Sequence, residues 1–437
     1  MKMNQDIFAK RRKKLLKELG KGVAILKSPP SQTRSNDTEY NYRIDSDIYY
    51  LTGYKNAGSA FIINPNDKEN VYTMFVLPKD PERETWVGRR LTFDQNIEKY
   101  GANKCLSIDD FEKAATEAMK TADTIYINMN HDTSNRHKMM DMFQNVKNIV
   151  QREGDGPLRI EALSSITSEM RLIKDAVEIE AIQKASDISA EAHVLAMKNC
   201  KPGKSEYQLQ GIMEGYFLQN GCKSVAYGSI VGGGENATVL HYENNDSEIK
   251  NNDLILIDAA CEYDMYASDI TRTFPANGKF TDVQRALYQV VLDAQNATIA
   301  ACKPGITFEE LHAIDLKILV EGMVGVGLLK GKVKDIIKDE TYKPYFMHKT
   351  GHWMGLDVHD VGNYKKKGKS RPLEEGMVFT VEPGIYVSRE TDAPNKYKGI
   401  GIRIEDNILI TKEGHHNFTR LVPKEINDIE MLMGESK

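Results

Sequence analysis

The chain has 437 residues, of which 41% are hydrophobic and 28% charged, a balance typical of a soluble protein with two or three domains. Its 58 Lys and Arg against 63 Asp and Glu give a net charge of −5, which argues against a general polyanion binder. Five scattered cysteines without C-x-x-C spacing predict reduced thiols. No apolar run approaches the ~18–20 residues of a membrane span and the start does not resemble a signal peptide, so we expect a cytoplasmic protein.

The first third of the chain predicts a small α/β domain. Short β-branched or aromatic runs bounded by turn residues predict strands, and amphipathic patterns predict helices. The predicted strands are 22–27, 47–52, 59–64, 71–77 and 124–128, and the predicted helices are 8–19, 110–120 and 136–146. Gly and Pro cluster in 151–157 without periodicity, which indicates a linker. We therefore place one domain at 1–160, a second at 174–437 and a linker at about 150–173.

In the second domain, a pattern of helix, stop and new helix occurs twice. A predicted helix over 174–199 ends at a Cys-Lys-Pro-Gly tetrapeptide that begins at Cys200, and a helix over 283–301 ends at the same tetrapeptide beginning at Cys302. The copies lie 102 residues apart. This repetition favours a duplicated half-domain, with a functional site between the two halves.

Two aspartates of the second domain lie on strand-like segments. Asp258 ends an apolar run, and Asp269 lies within 267–274. A hairpin turn centred at 263–264 would place the two carboxylates directly opposite one another, with Cβ atoms ~4.5–5.5 Å apart. The alternative is two exposed acids in a loose loop, but the apolar run argues for a buried strand. Because opposed buried carboxylates repel each other, we favour a cation bound between them.

Three of the ten histidines, His348, His352 and His359, lie within 12 residues in a segment that contains several glycines. A single histidine would more often be structural. Three together, beside glycines that allow close approach of a ligand, favour a chemical role. The histidines without such surroundings are interpreted as structural or exposed: His131, His137, His193, His312, His415 and His416.

Two further carboxylates follow strand-like runs near the end of the chain. Glu382 precedes a Pro-Gly turn, and Glu405 alternates with Arg403 on the face opposite the isoleucines, where the pair alone would indicate a salt bridge. Four carboxylates and one imidazole suit Mn²⁺, Co²⁺, Fe²⁺ or Zn²⁺, and four negative charges match two divalent ions ~3.5–4 Å apart. The candidate metal ligands are Asp258, Asp269, His352, Glu382 and Glu405.

These motifs resemble a known family. The segments 267–275, 352–362 and 381–384 are similar to the pita-bread metallopeptidases, and within them to aminopeptidase P (Xaa-Pro aminopeptidase, peptidase family M24B). The stretches 35–53 and 86–90 are similar to the creatinase-like N-terminal domain of that family, so the resemblance covers nearly the whole chain. It implies an α/β fold in which this domain is followed by a pita-bread domain of two pseudo-equivalent halves.

The resemblance also implies the activity and its cofactors: hydrolysis of the N-terminal Xaa-Pro bond of a peptide by a metal-bridging hydroxide. It implies two divalent ions per subunit, Mn²⁺ before Co²⁺, Zn²⁺ or Fe²⁺. Asp258 resembles the terminal ligand of one ion, and Asp269 and Glu405 resemble the bridging carboxylates. His352 and Glu382 resemble the remaining ligands of the second ion, with Glu382 also carrying a proton.

The partners and substrate-binding residues implied by the resemblance follow the same pattern. His241, His348 and His359 match substrate and transition-state histidines, and Arg403 matches an arginine of the same pocket. Lys349 departs from the family pattern, in which Gly is commoner. We expect peptide substrates with proline at the second position, no nucleic acid or membrane partner, and a homodimer or homotetramer.

Other interpretations share part of this pattern. Xaa-Pro dipeptidase (prolidase) has much of the same C-terminal pattern, and 267–281 is prolidase-like, but the N-terminal segments favour aminopeptidase P. A metal-free creatinase-like hydrolase or a non-catalytic binder would share the fold, but we would expect it to have lost ligands. The basic run 365–371 holds five positive charges without interleaved aromatics, so we interpret it as a solvated loop rather than a nucleic-acid site.

Overall fold

The computed structural model describes residues 4–129, 133–150 and 156–435. His131 and residues 151–155, near the start of the predicted linker, lie outside the described residues. The chain divides into two compact units, Met1–Met170 and Arg171–Lys437. In the described part of the chain, no helix is both long and apolar enough to cross a bilayer. All five cysteines are free and buried, in agreement with the predicted thiols.

The first unit is built on a six-stranded mixed sheet of order β6-β5-β4-β1-β7-β8. Apolar side chains of its central strands pack against α5 and α6, which gives this unit its own core. Its helices are α1 (Gln5–Leu19), α2 (Ser46–Thr52), α3 (Pro81–Val87), α4 (Phe93–Tyr100), α5 (Phe111–Lys120) and α6 (Thr133–Val150), followed by α7 (Ser164–Leu172). Its strands are β1 (Val23–Lys27), β2 (Thr33–Ser35), β3 (Thr38–Glu39), β4 (Ala60–Ile63), β5 (Tyr72–Val76), β6 (Lys104–Ser107), β7 (Thr124–Ile127) and β8 (Arg159–Ala162).

The predicted strand 47–52 was wrong, since this segment is helix α2. The Asp45 side chain accepts a hydrogen bond from the backbone N–H of Ile48 at 3.0 Å and caps the helix start, and Gly53 ends the helix in the left-handed region at φ 71°. Every residue of α2 is buried, so its sequence lacks the polar positions that normally mark a helical period. The segment 150–173, predicted as a linker, likewise includes β8 and α7.

The second unit contains six helices and thirteen strands in its described residues. The helices are α8 (Ala176–Asn199), α9 (Glu206–Gln219), α10 (Asp282–Ala301), α11 (Phe308–Gly325), α12 (Val333–Lys338) and α13 (Ile426–Gly434). The strands of its first part are β9 (Ser224–Val225), β10 (Ile230–Gly233), β11 (Leu254–Asp258), β12 (Cys261–Tyr263), β13 (Tyr266–Ala267) and β14 (Thr271–Pro275). Those of its second part are β15 (Lys365–Lys366), β16 (Lys369–Ser370), β17 (Val378–Val381), β18 (Gly384–Val387), β19 (Ile400–Arg403), β20 (Asp406–Ile410) and β21 (His415–Asn417).

The predicted duplication is visible in the backbone of this unit. A capping box begins both α9 and α11, and the capping residue also forms an isolated antiparallel bridge: Ser205 with Glu248, and Thr307 with Pro372. Each half therefore contains a pair of helices, and in each half a later segment of the chain pairs with the residue that caps the second helix. Strands β10-β11-β14 form a sheet in the first half, and β17-β20-β21 form one in the second.

The hairpin predicted around Asp258 and Asp269 forms with a different register. Asp258 faces Thr271 across β11 and β14, not Asp269. The turn lies at Asp264 and Met265, which have φ values of 48° and 76°. Two successive residues with positive φ are typical of the type I′ turn, whose twist matches that of paired strands. Asp269 lies in the irregular segment between β13 and β14, beside Asp258 rather than opposite it.

Candidate functional site

The candidate site is a cavity of about 800 Å³ in the second unit. All nine predicted site residues line this cavity, although they span most of the unit's sequence. The first half contributes His241, Asp258 and Asp269, and the second half contributes His348, His352, His359, Glu382, Arg403 and Glu405. The predicted site between two duplicated halves is therefore one continuous cavity.

Local backbone features direct these side chains into the cavity. Along β19 and the residues after it, Ile402 and Ile404 pack in the core, so the alternating Arg403 and Glu405 face the cavity. On the histidine segment, a Cβ at Gly351 would lie 1.8 Å from a backbone oxygen of β17. Only glycine allows this approach, as expected from the glycines around the histidines.

Three side chains meet closely enough to share a metal ion. Asp269, His352 and Glu405 each offer a ligand atom, and these atoms lie within 4.8 Å of one another. His352 Nε2 is 3.3 Å from Asp269 Oδ2 and 3.5 Å from Glu382 Oε1. The other ring nitrogen, Nδ1, lies 3.0 Å from the carbonyl oxygen of Trp353, to which it must donate a hydrogen. This bond leaves Nε2 as the lone-pair nitrogen that a metal requires.

The carboxylates of this group carry an uncompensated electrostatic cost. Burial, with neighbouring carboxylates, raises the pKa of Asp269 and of Glu405 and raises the pKa of Glu382 to about 7. Burial opposes the charged form of His352, but Asp269 and Glu382 outweigh it and raise its pKa to about 9. Buried carboxylates at such separations require a cation, so the donor chemistry fits divalent metal ions.

Asp258 differs from the other acids because the protein itself neutralises it. Arg403 Nη2 donates to Asp258 Oδ2 at 2.6 Å, and the Tyr227 hydroxyl donates to Asp258 Oδ1 at 2.6 Å. A salt bridge between Arg403 and Glu405 was the alternative interpretation of their spacing, but Arg403 pairs with Asp258. Glu405 Oε2 accepts a hydrogen bond from Thr271 at 2.7 Å. The alternation correctly predicted that Arg403 faces the cavity, but its ion-pair partner, Asp258, belongs to the other half.

Two histidines of the cavity, His348 and His359, have lowered pKa values and are neutral. Burial lowers the pKa of His348 to about 4, and burial with the nearby His352 lowers that of His359. His348 Nδ1 donates to the Lys349 carbonyl at 2.8 Å, and its Nε2 lies 2.9 Å from the Tyr386 hydroxyl. Both ring nitrogens of His348 are thereby engaged with protein groups. His359 stacks edge-on against His352, with ring centroids 4.2 Å apart.

Comparison with known proteins places the chain in a family. Residues 180–412 match the model of metallopeptidase family M24. The chain belongs to metallopeptidase family M24. Residues 8–126 of this M24 protein match the aminopeptidase P N-terminal domain. The predicted resemblance and the predicted fold are therefore confirmed.

Curated relatives and solved structures of M24 proteins cover nearly the whole chain. Xaa-Pro aminopeptidase of Escherichia coli is 39% identical over 438 residues, which are 99% of this chain and 98% of the relative. The structure of aminopeptidase PepP of Pseudomonas aeruginosa superposes with a TM-score of 0.96 at 41% identity, covering 100% of this chain and 99% of that chain. Zinc-substituted E. coli aminopeptidase P in complex with product gives a TM-score of 0.95 at 38% identity, with 100% of both chains covered.

Several residues of this M24 site have no clear signal in the sequence. Tyr227 reaches Asp258 from a loop far away along the chain, so no local spacing could reveal it. Tyr386 had a usable signal, because it follows Glu382 at the even spacing of a strand face. His312, expected to be structural, lines the cavity. Helix α11 carries it there, and it precedes the predicted histidine segment by more than 30 residues, so clustering could not reveal it.

The basic run also departs from the predicted loop. It forms the hairpin β15–β16, whose turn contains Lys367 and Gly368 with φ values of 51° and 77°. Lys365 pairs with Glu309 at 2.9 Å and lines the cavity with it. The other lysines are exposed, as expected for a solvated segment.

Proposed function

We propose that this protein is a metal-dependent aminopeptidase that hydrolyses the bond between the first residue of a peptide and a proline at the second position. The proposal depends on one observation. Four carboxylates and the imidazole of His352, whose Nε2 can bind a metal, lie together in a single cavity. Full-length similarity to Xaa-Pro aminopeptidases supports the substrate class over a dipeptidase.

The proposed cofactor is a pair of divalent ions, with Mn²⁺ as the first choice. Hard carboxylate oxygens with a single imidazole favour Mn²⁺, Co²⁺, Fe²⁺ or Zn²⁺ over softer metals. Two ions would supply Lewis-acid polarisation and lower the pKa of a water molecule. The residues that would hold them are Asp258, Asp269, His352, Glu382 and Glu405.

Glu382 is proposed to move the proton of the reaction. Its carboxyl lines the cavity and lies 3.5 Å from His352 Nε2, so it is placed to take a proton and to return it during the reaction. The Thr380 hydroxyl donates to Glu382 Oε1 at 3.2 Å, which leaves Oε2 to take a proton from the attacking water. As the water oxygen bonds to the carbonyl carbon and the C–N bond breaks, that proton passes from Oε2 to the proline nitrogen.

Two histidines that line the cavity are proposed to bind the peptide. His241 and His359 are exposed within the cavity and can each donate a hydrogen bond to the carbonyl oxygen as charge develops there. Tyr386 joins two further residues of the cavity: its hydroxyl lies 3.0 Å from Arg403 Nη1 and 2.9 Å from His348 Nε2, which fixes both side chains. A proline at the second position carries no N–H, so the site needs no acceptor for that group.

The location and assembly are also proposals. The composition, with reduced buried cysteines and a net charge of −5, supports a cytoplasmic protein. We propose a homodimer or homotetramer, which light scattering of the purified protein would test.

A substrate and metal series tests the proposed function. After chelation, we expect hydrolysis of Xaa-Pro-Yaa tripeptides to be lost, and Mn²⁺ to restore it more fully than Zn²⁺. Xaa-Pro dipeptides should be poor substrates. Activity on dipeptides alone would favour the dipeptidase, and full activity of an Asp269→Ala variant without bound metal would refute the metalloenzyme.

A further inference from the structure

Helix α11 presents a neutral histidine to the cavity, in addition to those of the predicted site. His312 lines the cavity, one helical turn after Phe308. Burial, with the nearby positive charge of Lys349, lowers its pKa to about 4. An uncharged imidazole has one N–H and one lone pair, so the hydrogen bond of one nitrogen decides what the other offers.

Two hydrogen bonds fix the orientation of this ring. His312 Nδ1 lies 2.8 Å from the Thr350 hydroxyl, and that hydroxyl donates to Asp315 Oδ2 at 2.6 Å. The hydroxyl has a single proton, which it gives to the carboxylate, so it must accept from His312 Nδ1–H. Nε2 is then the lone-pair nitrogen. No hydrogen bond joins it to another residue of the described part of the chain, and its ring borders the cavity.

Asp315, which holds Thr350 and through it His312, is placed in a way that destabilises the folded protein. Asp315 is fully buried, and its Oδ1 has no hydrogen-bond partner among the described residues. An unsatisfied buried acceptor destabilises the folded protein, and an apolar residue at this position would avoid that cost. Burial raises the pKa of Asp315 to about 7, so the carboxylate form prevails above neutral pH. In return, Asp315 and Thr350 hold the His312 ring so that its Nε2 is a fixed hydrogen-bond acceptor.

We propose that His312 is a substrate-binding residue whose Nε2 accepts a hydrogen bond from the backbone N–H of the residue after proline. Lys349 disfavours a cationic donor such as the peptide's α-ammonium group at this place, and proline itself has no N–H. The next neutral donor beyond the scissile bond belongs to the third residue. An Xaa-Pro dipeptide lacks it. Asp315 and Thr350 are positioning residues for His312.

An amide-to-ester replacement tests this inference, which rests on the proposed function. The substrates are Ala-Pro-Ala and its analogue in which an ester oxygen replaces the N–H of the third residue, assayed at pH 8 with saturating metal. One hydrogen bond of ~1.4 kcal/mol corresponds to about tenfold, so the wild-type enzyme should have about tenfold lower kcat/KM on the ester. His312→Ala should lose about tenfold on the amide and almost nothing on the ester.

Matched variants separate binding from folding. His312→Gln, which offers an acceptor of similar reach, should recover part of the amide preference. Lys317→Ala, at an exposed position of the same helix, should leave both rates unchanged. Equal wild-type rates on amide and ester overturn the proposal even if His312→Ala fails to fold. An unchanged amide preference in a folded His312→Ala does the same. Failure of the proposed function is distinct, because the wild type would then hydrolyse neither peptide.

Discussion

The two halves of the second unit share a scaffold but differ in chemistry. The capping residues Ser205 and Thr307 are 102 positions apart, whereas their bridge partners Glu248 and Pro372 are 124 apart. The second half therefore holds 22 more residues between those points, including α12 and the histidine segment. The helix pair that is common to both halves forms much of the core. The segment that is longer in the second half carries most of the histidines of the site.

The halves also differ in how their acids are neutralised. Asp258 of the first half has the guanidinium of Arg403, from the second half, at 2.6 Å. Among the described residues, no Arg or Lys forms an ion pair with Asp269, Glu382 or Glu405, and His352 is the imidazole nearest to the first two. The pKa values of all three acids are raised, first by burial. The comparison indicates that the protein supplies one positive charge across the interface between the halves and leaves the remaining charge to metal ions.

Removing one ligand from each half should give the largest effects. Asp269→Asn and Glu405→Gln should each lower kcat/KM by at least ~10³-fold, since loss of a bound ion removes several kcal/mol of transition-state stabilisation. Without metal, both variants should melt at the same temperature as the wild type or higher, because the clustered buried carboxylates repel each other less. Metal content by mass spectrometry, kinetics and calorimetry check this. The exposed Glu413→Gln is the control, and metal loss in only one variant would show that the halves do not share the ions.

The next effect concerns a second ion pair between the halves, which lies outside the cavity. Arg272 on β14 and Asp406 on β20 are fully buried, and Arg272 Nη2 donates to Asp406 Oδ1 at 2.6 Å. Asp406→Ala would leave a buried guanidinium without its carboxylate, so we expect a loss of ~3–5 kcal/mol in the free energy of unfolding. Urea denaturation of the metal-loaded protein measures it. Glu340→Ala, which breaks an exposed pair with Lys343, should leave the free energy of unfolding almost unchanged. Similar losses in both variants would contradict the prediction.

The pH dependence of stability should differ between the metal-free and metal-loaded protein. The pKa of Glu382 is raised from 4.5 to about 7, and that of His352 from 6.5 to about 9. At each of these two groups the folded metal-free protein binds more protons than the unfolded chain, so their contribution to stability falls as the pH rises from 4.5 to about 9. Metal ions replace these protons, so their stabilising effect grows over this range. Thermal unfolding at pH 6 and 8, with chelator or with Mn²⁺, should show a widening gap; parallel curves would contradict this.

The sequence was sufficient for those features that have a local signature. Helix ends at Pro-Gly, the repeated tetrapeptide and the alternation of Arg403 with Glu405 all predicted what the structure contains. Helix α2 was missed because it is buried on every side, and the hairpin register because a turn of two positive-φ residues, Asp264 and Met265, contains no glycine. Tyr227 and His312 reach the cavity only through tertiary packing, so their positions in the sequence could not predict them as site residues.

The smallest predicted effects compare one tyrosine hydroxyl from each half. Tyr227 donates to the candidate ligand Asp258, whereas Tyr386 bridges Arg403 and His348 without touching a ligand. Tyr227→Phe should weaken metal affinity by ~10–100-fold and leave kcat nearly unchanged at saturating Mn²⁺, because such bonds orient ligands.

Tyr386→Phe should keep metal affinity and lower kcat/KM by about tenfold, the equivalent of one hydrogen bond of ~1.4 kcal/mol. Metal titrations and kinetics on both variants separate the two outcomes, since each removes one oxygen and keeps the ring. If the variants exchanged these phenotypes, the first half would bind the peptide and the second half alone would hold the metal. If both lost only metal affinity, the Arg403–Tyr386–His348 chain would belong to the metal site, and the division between the halves would disappear.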